Sequence, residues 1–79
     1  MLRSKLYSQV RIVRLIGSDT DYDGWELNKR APRVGDVGSL IDVLDAPNLP
    51  LKYVVEMSDP EGITIWLADF SEEELEALE

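Results

Sequence analysis

The sequence feature that most constrains the fold is a turn signal, DPEG at 59–62, between two apolar runs. Asp at the first position, Pro at the second with its φ already restricted, and Gly at the fourth are typical of a type I β-turn. The run before the turn, 51–57, reads LKYVVEM, and the run from 62–70 reads GITIWLADF. Because both runs are short and rich in β-branched and aromatic residues, they predict two strands joined as a hairpin.

Side-chain alternation divides each strand of this hairpin into two faces. In the first strand Tyr53, Val55 and Met57 share one face, and in the second strand Ile63, Ile65 and Leu67 form the face that we expect to lie against the core. Trp66 then lies on the opposite face of its strand, where the indole is available as a surface anchor for a partner. Alternatively, Trp25 or Leu27 from the preceding loop covers it as a small apolar cluster.

Two further strands and a tail complete the pattern. Residues 10–16, VRIVRLI, predict a first strand, and 40–44 predict a second, with Gly35 and Gly38 before it suited to a turn and to a bulge or bend. The tail 71–79, SEEELEALE, begins with a capping-box pattern. It predicts either a helix or a single helical turn followed by a short closing strand, which would remove an open sheet edge.

The composition excludes several kinds of chemistry. The 79 residues include no Cys and no His, which removes thiolate nucleophiles, imidazole bases and metal sites built on sulfur or nitrogen ligands. A chain this short has one core and little room for a deep pocket, so we expect a single domain over 1–79, no enzyme activity and no cofactor. The absence of cysteine and of an apolar N-terminal run indicates a cytoplasmic protein.

Charge is distributed unevenly along the chain. The net charge is −8. Residues 1–33 contain seven Lys or Arg and four Asp or Glu, which gives a net charge of +3. Residues 34–79 contain one Lys and twelve Asp or Glu, which gives a net charge of −11. A negative field of this size disfavours contact with nucleic-acid phosphates and favours a basic partner or a cation.

A long polar segment, 17–33, follows the first predicted strand. Its DTDYDG sequence at 19–24 is the first half of an EF-hand-type calcium loop, with carboxylates at positions 1, 3 and 5 and glycine at 6. Arg30 stands at position 12, where that loop needs a bidentate Glu. The candidate calcium ligands are Asp19, Asp21, Asp23 and Glu26. An exposed acidic loop with Asx turns is the alternative.

Several short motifs resemble one known family. The matching elements are Gly35-Asp36-Val37-Gly38, Val43, Tyr53-Val54-Val55-Glu56-Met57, Gly62 and Glu74-Leu75. In this order they resemble the small bacterial proteins grouped as domain of unknown function 4926. The resemblance implies an SH3-like barrel of about five strands, with a long loop after strand one and a short C-terminal helical turn, and an immunity or antitoxin-like role. The 17–33 loop is longer than the family pattern, so the resemblance implies nothing about its function.

The sequence therefore predicts a non-enzymatic protein-interaction module, or a complex-accessory protein, that favours a basic partner. The candidate partner-binding residues are Trp25, Trp66, Tyr53, Glu56 and Asp42. Glu56 and Asp42 could also be considered as a catalytic acid–base pair, but a position on a solvated strand face is enough to explain both carboxylates. A weak calcium-binding domain is one alternative. A nucleic-acid-binding barrel is another, since the Gly-Asp-x-Gly segment is also similar to part of the KOW motif.

Overall fold

The computed structural model describes residues 6–17 and 28–78, which form five antiparallel strands in one sheet and almost no helix. The strands are β1 (Gln9–Ile12), β2 (Val37–Leu44), β3 (Lys52–Ser58), β4 (Thr64–Phe70) and β5 (Leu75–Ala77). A 3-10 turn, Glu72–Glu74, joins β4 to β5. The prediction of a mainly-β chain is confirmed, and the tail adopts the turn followed by a short strand. In this part of the chain no helix is long and apolar enough to cross a bilayer.

The strands are ordered β4-β3-β2-β1-β5 across the sheet, so the last strand returns to pair with the first. β1 lies between two partners, with Val10 opposite Gly38 of β2 on one side and opposite Ala77 of β5 on the other. Among the described residues no ladder joins β4 to β5, so these strands are the two edges of the hydrogen-bonded sheet. β1 is shorter than predicted, because its pairing ends at Ile12 rather than at Ile16.

The β3–β4 hairpin forms around the predicted turn. The Gly62 N–H donates to the Asp59 carbonyl at 2.9 Å, as a type I turn requires. The Asp59 carboxylate accepts from the backbone N–H of Glu61 at 2.9 Å and of Ile63 at 3.0 Å. Gly62 has a φ of +86°, a conformation that glycine adopts without a steric penalty. The local geometry of the turn thus explains why Asp stands at position 59 and Gly at position 62.

The predicted core face of β4 is wrong, and a β-bulge is the reason. Ser58 pairs with Thr64, but the next pair is Met57 with Trp66, so the register shifts by one residue. Because side chains alternate with a period of two, a shift of one residue exchanges the two faces of a strand. Trp66 consequently faces the core, while Ile63 is 48% exposed.

The core lies on one face of the sheet and draws on every strand. Its buried apolar members are Val10, Ile12, Leu40, Tyr53, Val55, Trp66, Ala68, Phe70 and Leu75. The Trp66 and Phe70 rings meet edge to face, with centroids 5.7 Å apart. Tyr53 and Val55, which share one face of β3, are both buried in the core, and Met57 on the same face packs against it from a half-buried position.

Candidate functional site

The predicted partner-binding residues do not come together on one surface. Trp66 is 0% exposed, so the prediction of an exposed indole anchor is wrong, for the register reason given above. Tyr53 is also buried. Glu56 and Asp42 lie on the outer face, where Glu56 accepts from the Thr64 hydroxyl and Asp42 accepts from the backbone N–H of the next residue.

The remaining predicted site residues lie outside the described residues. They are Trp25 and the candidate calcium ligands Asp19, Asp21, Asp23 and Glu26. Their roles stay predictions. Within 6–17 and 28–78, no three carboxylates are grouped so that they could hold a metal ion.

The Asp36 carboxylate joins three parts of the fold just before β2. Oδ2 lies 2.7 Å from Arg30 Nη1, and Oδ1 accepts from Arg30 Nη2 at 3.0 Å, which makes a bidentate ion pair. Oδ2 also accepts from the Trp66 indole N–H at 2.9 Å and from the Arg33 backbone N–H at 2.9 Å. The carboxylate is engaged by donors from the loop, the turn before β2 and the core of β4.

These donors determine the ionisation of the pair. Burial by itself would raise the pKa of Asp36, but the hydrogen bonds and the positive charge of Arg30 outweigh it, so the pKa lies below its usual range. The hydrogen bond to Asp36 likewise raises the pKa of Arg30. A carboxylate held ionised with both oxygens occupied has a structural role here. The spacing of these residues in the sequence did not indicate the network.

The long loop returns to the sheet along the outer edge of β4. Asn28 mimics a strand there: its Oδ1 accepts from the Leu67 N–H at 2.9 Å, and its Nδ2 donates to the Leu67 carbonyl at 3.3 Å. The Lys29 N–H donates to the Ile65 carbonyl at 2.7 Å. These contacts satisfy backbone groups that an edge strand would otherwise present to another chain.

A groove opens where the β2–β3 loop meets the 3-10 turn. It has a volume of about 590 Å³ and is lined by Pro50, Leu51, Ser71, Glu72 and Glu73. We call it the acidic groove, because two of its five lining residues are glutamates. Strand pairing explains how the two segments meet, since the start of β3 lies against the end of β4.

A buried carboxylate sets the position of the 3-10 turn. Oε1 of Glu74 accepts from the Ser71 backbone N–H at 2.9 Å and from its hydroxyl at 3.0 Å. Oε2 accepts from the Ile16 N–H at 3.2 Å. The side chain that the capping-box pattern singles out therefore holds the turn and also fastens it to the chain after β1. Because the turn contributes Glu72 and Glu73 to the lining, these hydrogen bonds also hold one wall of the acidic groove in place.

An apolar depression adjoins the acidic groove. It has a volume of about 350 Å³ and is lined by Leu44, Ala46, Leu49, Pro50 and Lys52. Pro50 lines both features, so the two are adjacent. Leu49 is 66% exposed, and its N–H donates to the Ala46 carbonyl at 3.2 Å in a turn. The depression thus places exposed leucines, Leu44 and Leu49, next to a groove that carries two glutamates.

One polar atom in the described part of the core lacks a hydrogen-bond partner, namely the buried hydroxyl of Tyr53. Burial, and then the negative charge of Glu72, raise the pKa of Tyr53, so the hydroxyl stays protonated at neutral pH.

No protein-family model, curated protein or solved structure matches this chain. Its function is therefore argued from the geometry and chemistry of the chain itself.

Proposed function

We propose that this chain is a non-enzymatic protein-binding module that takes a basic partner on the acidic groove and the adjoining apolar depression. The observation that carries the proposal is that the two features are adjacent at Pro50, which lines both. An exposed apolar surface gains free energy when a partner covers it. Carboxylates at its border select a partner of opposite charge.

The charge of the chain supports a basic partner. The half that contains both features, 34–79, has a balance of −11, and Glu73 is exposed at the border of the groove. Such a field accelerates the approach of a positively charged protein and disfavours an acidic one.

We further propose that the sheet is an SH3-like barrel related to the small bacterial family that the sequence resembles. Three features support this architecture: the order β4-β3-β2-β1-β5, a 3-10 turn before the last strand, and a long connection after β1. Motif residues also have structural roles, since Asp36 joins Arg30 to Trp66 and Gly38 packs against β3. The immunity or antitoxin-like role that the resemblance implies would make the basic partner a toxin or another subunit of its complex.

Affinity capture with matched variants tests the binding surface. The tagged protein is expressed in its native host and recovered at low salt, in parallel with Leu49→Ser and Glu73→Lys. Both residues are exposed, so these variants keep the core intact. We expect a basic partner to be recovered with the wild-type chain and at least tenfold less with either variant.

Control variants lie at the opposite end of the sheet. Ile63→Ser removes an equally apolar exposed side chain, and Glu61→Lys makes the same charge change in the β3–β4 turn. Both should recover the partner as well as the wild-type chain does. Equal recovery with all four variants, or a partner that binds only through the control positions, would contradict the proposed surface.

A further inference from the structure

We propose that the outer edge of β5 binds an extended, basic segment of another protein, which adds to the sheet as a further antiparallel strand. The site is separate from the binding surface proposed above, since no described residue of β5 lines the acidic groove or the apolar depression. The inference begins from the two edges of the sheet, because an edge strand presents backbone N–H and C=O groups with which another chain can pair.

The fold treats its two sheet edges differently. At the β4 edge, the Asn28 side chain and the Lys29 N–H occupy backbone groups of Leu67 and Ile65. β5 lies at the opposite end of the strand order, and no described strand pairs with its outer side. The chain therefore covers the edge at β4 with its own residues, whereas no part of the described chain covers the edge at β5.

The register between β1 and β5 shows which backbone groups point outward. In an antiparallel ladder, hydrogen-bonded pairs alternate with pairs that are not hydrogen-bonded. The Leu78 N–H donates to the Gln9 carbonyl at 3.2 Å, so these two residues form a hydrogen-bonded pair. The next pair, Ala77 with Val10, is then not hydrogen-bonded. The N–H and C=O of Ala77 therefore point away from β1, toward the outer side of β5.

The same alternation applies two residues earlier, at Leu75, which pairs with Ile12. The Leu75 N–H also points outward, but it donates to the Glu72 carbonyl in the 3-10 turn. Three backbone groups are thus left for another strand: the Leu75 C=O and both groups of Ala77. Ala77 is exposed, so an approaching chain can reach them.

The side chains of β5 determine which kind of strand fits beside it. Leu75 is buried in the core and Ala77 lies on the same face, whereas Glu76 is exposed on the other face, opposite Arg11 of β1. Residues directly opposite each other in neighbouring strands share a face and interact. The best match is therefore a strand with a basic residue opposite Glu76 and a β-branched apolar residue on either side of it.

The charge beside this edge favours a basic segment over a second copy of the chain. Four of the five residues 72–76 are glutamates, and pairing two β5 edges would bring two such segments together. Like charges on directly opposite residues destabilise strand pairing, and opposite charges stabilise it. The carboxylates that discourage self-association thus select a partner of opposite charge.

The test uses the synthetic peptide acetyl-Lys-Val-Arg-Val-Lys-amide, titrated into the ¹⁵N-labelled chain and followed by NMR. In the proposed register the arginine of the peptide lies opposite Glu76, and its valines lie opposite Leu75 and Ala77. We expect saturable shifts of the Glu76 and Ala77 amides, with a dissociation constant on the order of 1 mM. A peptide with glutamate at all three basic positions should not bind.

Two methylated peptides separate backbone pairing from charge attraction. N-methyl groups on both valines remove the peptide N–H groups that face β5, whereas N-methyl groups on the arginine and the C-terminal lysine remove N–H groups that face solvent. The two peptides have the same composition and charge. The first should bind at least about tenfold more weakly than the unmodified peptide, and the second should bind about as tightly.

Hydrogen exchange at one amide reports the new hydrogen bond. Exchange of the Ala77 N–H should slow about sixfold at a peptide concentration of about five times the dissociation constant, because exchange then proceeds only from the unbound fraction. The peptide methylated on its valines is the control, and at the same concentration it should leave this exchange rate nearly unchanged.

Variants of the protein test the same contact from its other side. Ala77→Pro removes the outward N–H, which β1 does not use, and proline is tolerated on a strand edge. It should weaken peptide binding at least about threefold, and Ala77→Ser, which keeps the N–H, should not. Glu76→Gln should weaken binding about two- to threefold, with Glu61→Gln in the β3–β4 turn as the neutral control. If the proline variant does not fold, the methylated peptides still decide the question.

Three results would each overturn the inference: equal binding of the two methylated peptides, no slowing of exchange at Ala77, or shifts of the Ala77 amide that depend on protein concentration without peptide. The last result would mean that a second copy occupies the edge. Leu49→Ser, which alters the surface of the proposed function, should leave peptide binding unchanged. The two proposals can therefore fail independently.

Discussion

Asp36 is the residue at which the loop, the turn before β2 and the core of β4 meet. Its carboxylate binds Arg30 through two oxygens and also accepts from the Trp66 indole N–H and the Arg33 backbone N–H. Because one of these oxygens serves three donors, a change at this position affects groups that are far apart in the sequence.

Asp36→Asn should destabilise the fold. An asparagine side chain has one acceptor oxygen, so part of the network is lost and the Arg30 charge no longer has its partner. We expect the free energy of unfolding, measured by urea denaturation, to fall by about 2–3 kcal/mol. Asp42→Asn is the matched control, since Asp42 is exposed and bonds only a neighbouring N–H, and it should cost less than about 0.5 kcal/mol. Equal effects of the two substitutions would contradict the role assigned to Asp36.

The same carboxylate predicts a pH dependence of stability. Its pKa in the folded chain lies below the ordinary value of 3.8, so its contribution is complete above the unfolded-state pKa and is lost as pH falls through the folded-state value. The difference in unfolding free energy between wild type and Asp36→Asn should therefore be largest above about pH 5 and shrink below about pH 4. Urea titrations of both chains across that range measure it. If the difference in unfolding free energy between the two chains grew as the pH fell, the assignment of the pH dependence to Asp36 would be contradicted.

At the scale of the strands, the hairpin shows what could be predicted from the sequence and what could not. The turn and the shared face of Tyr53, Val55 and Met57 in β3 follow from local rules, because the turn residues have fixed conformational preferences and side chains alternate along a strand. The core face of β4 does not, because both of its faces carry apolar residues. A one-residue bulge at Ile65, opposite Met57 and Ser58, then decides which face is buried, and nothing in the sequence marks that bulge.

At Gly38 the backbones of β2 and β3 approach closely. A Cβ there would lie 2.6 Å from the Glu56 carbonyl oxygen and 2.8 Å from Val55 Cγ1, and a backbone oxygen in a central strand has no room to withdraw. Gly38→Ala should therefore cost at least about 2 kcal/mol of unfolding free energy or prevent folding.

Gly35→Ala is the comparison for this substitution. Gly35 has open space around it but a φ of +97°, so alanine there meets only backbone strain, about 1–2 kcal/mol. Thermal unfolding of both variants should give the lower midpoint for Gly38→Ala. A lower midpoint for Gly35→Ala would mean that β2 and β3 lie further apart at Gly38 than they do in the structure.

At the scale of the whole molecule, the candidate surface depends on long-range pairing. Glutamates at 72 and 73 and leucines at 44 and 49 are visible in the sequence, but no local pattern relates them. They become neighbours because the pairing of Tyr53 with Phe70 brings the β2–β3 loop against the 3-10 turn. Sequence reasoning could therefore predict an acidic, mainly-β chain but not which of its residues form this surface.

The net charge of −8 predicts a response to salt. Like charges repel most strongly in the compact state, and added ions screen that repulsion. Between about 0.02 M and about 0.5 M sodium chloride, the free energy of unfolding should rise by roughly 0.5–1 kcal/mol. A double variant, Glu61→Lys with Glu73→Lys, gains two charges at each site and has a net charge of −4, so its response should be smaller. Stability that falls with salt in the wild-type chain would show that attractive pairs dominate instead.

A polar side chain fastens each end of the connection after β1. Glu74 holds the backbone at Ile16, where the connection leaves the sheet, and Asn28 holds Leu67, where it returns. Both anchors belong to the described residues, so the sheet itself sets the distance that the connection has to span between Ile16 and Asn28.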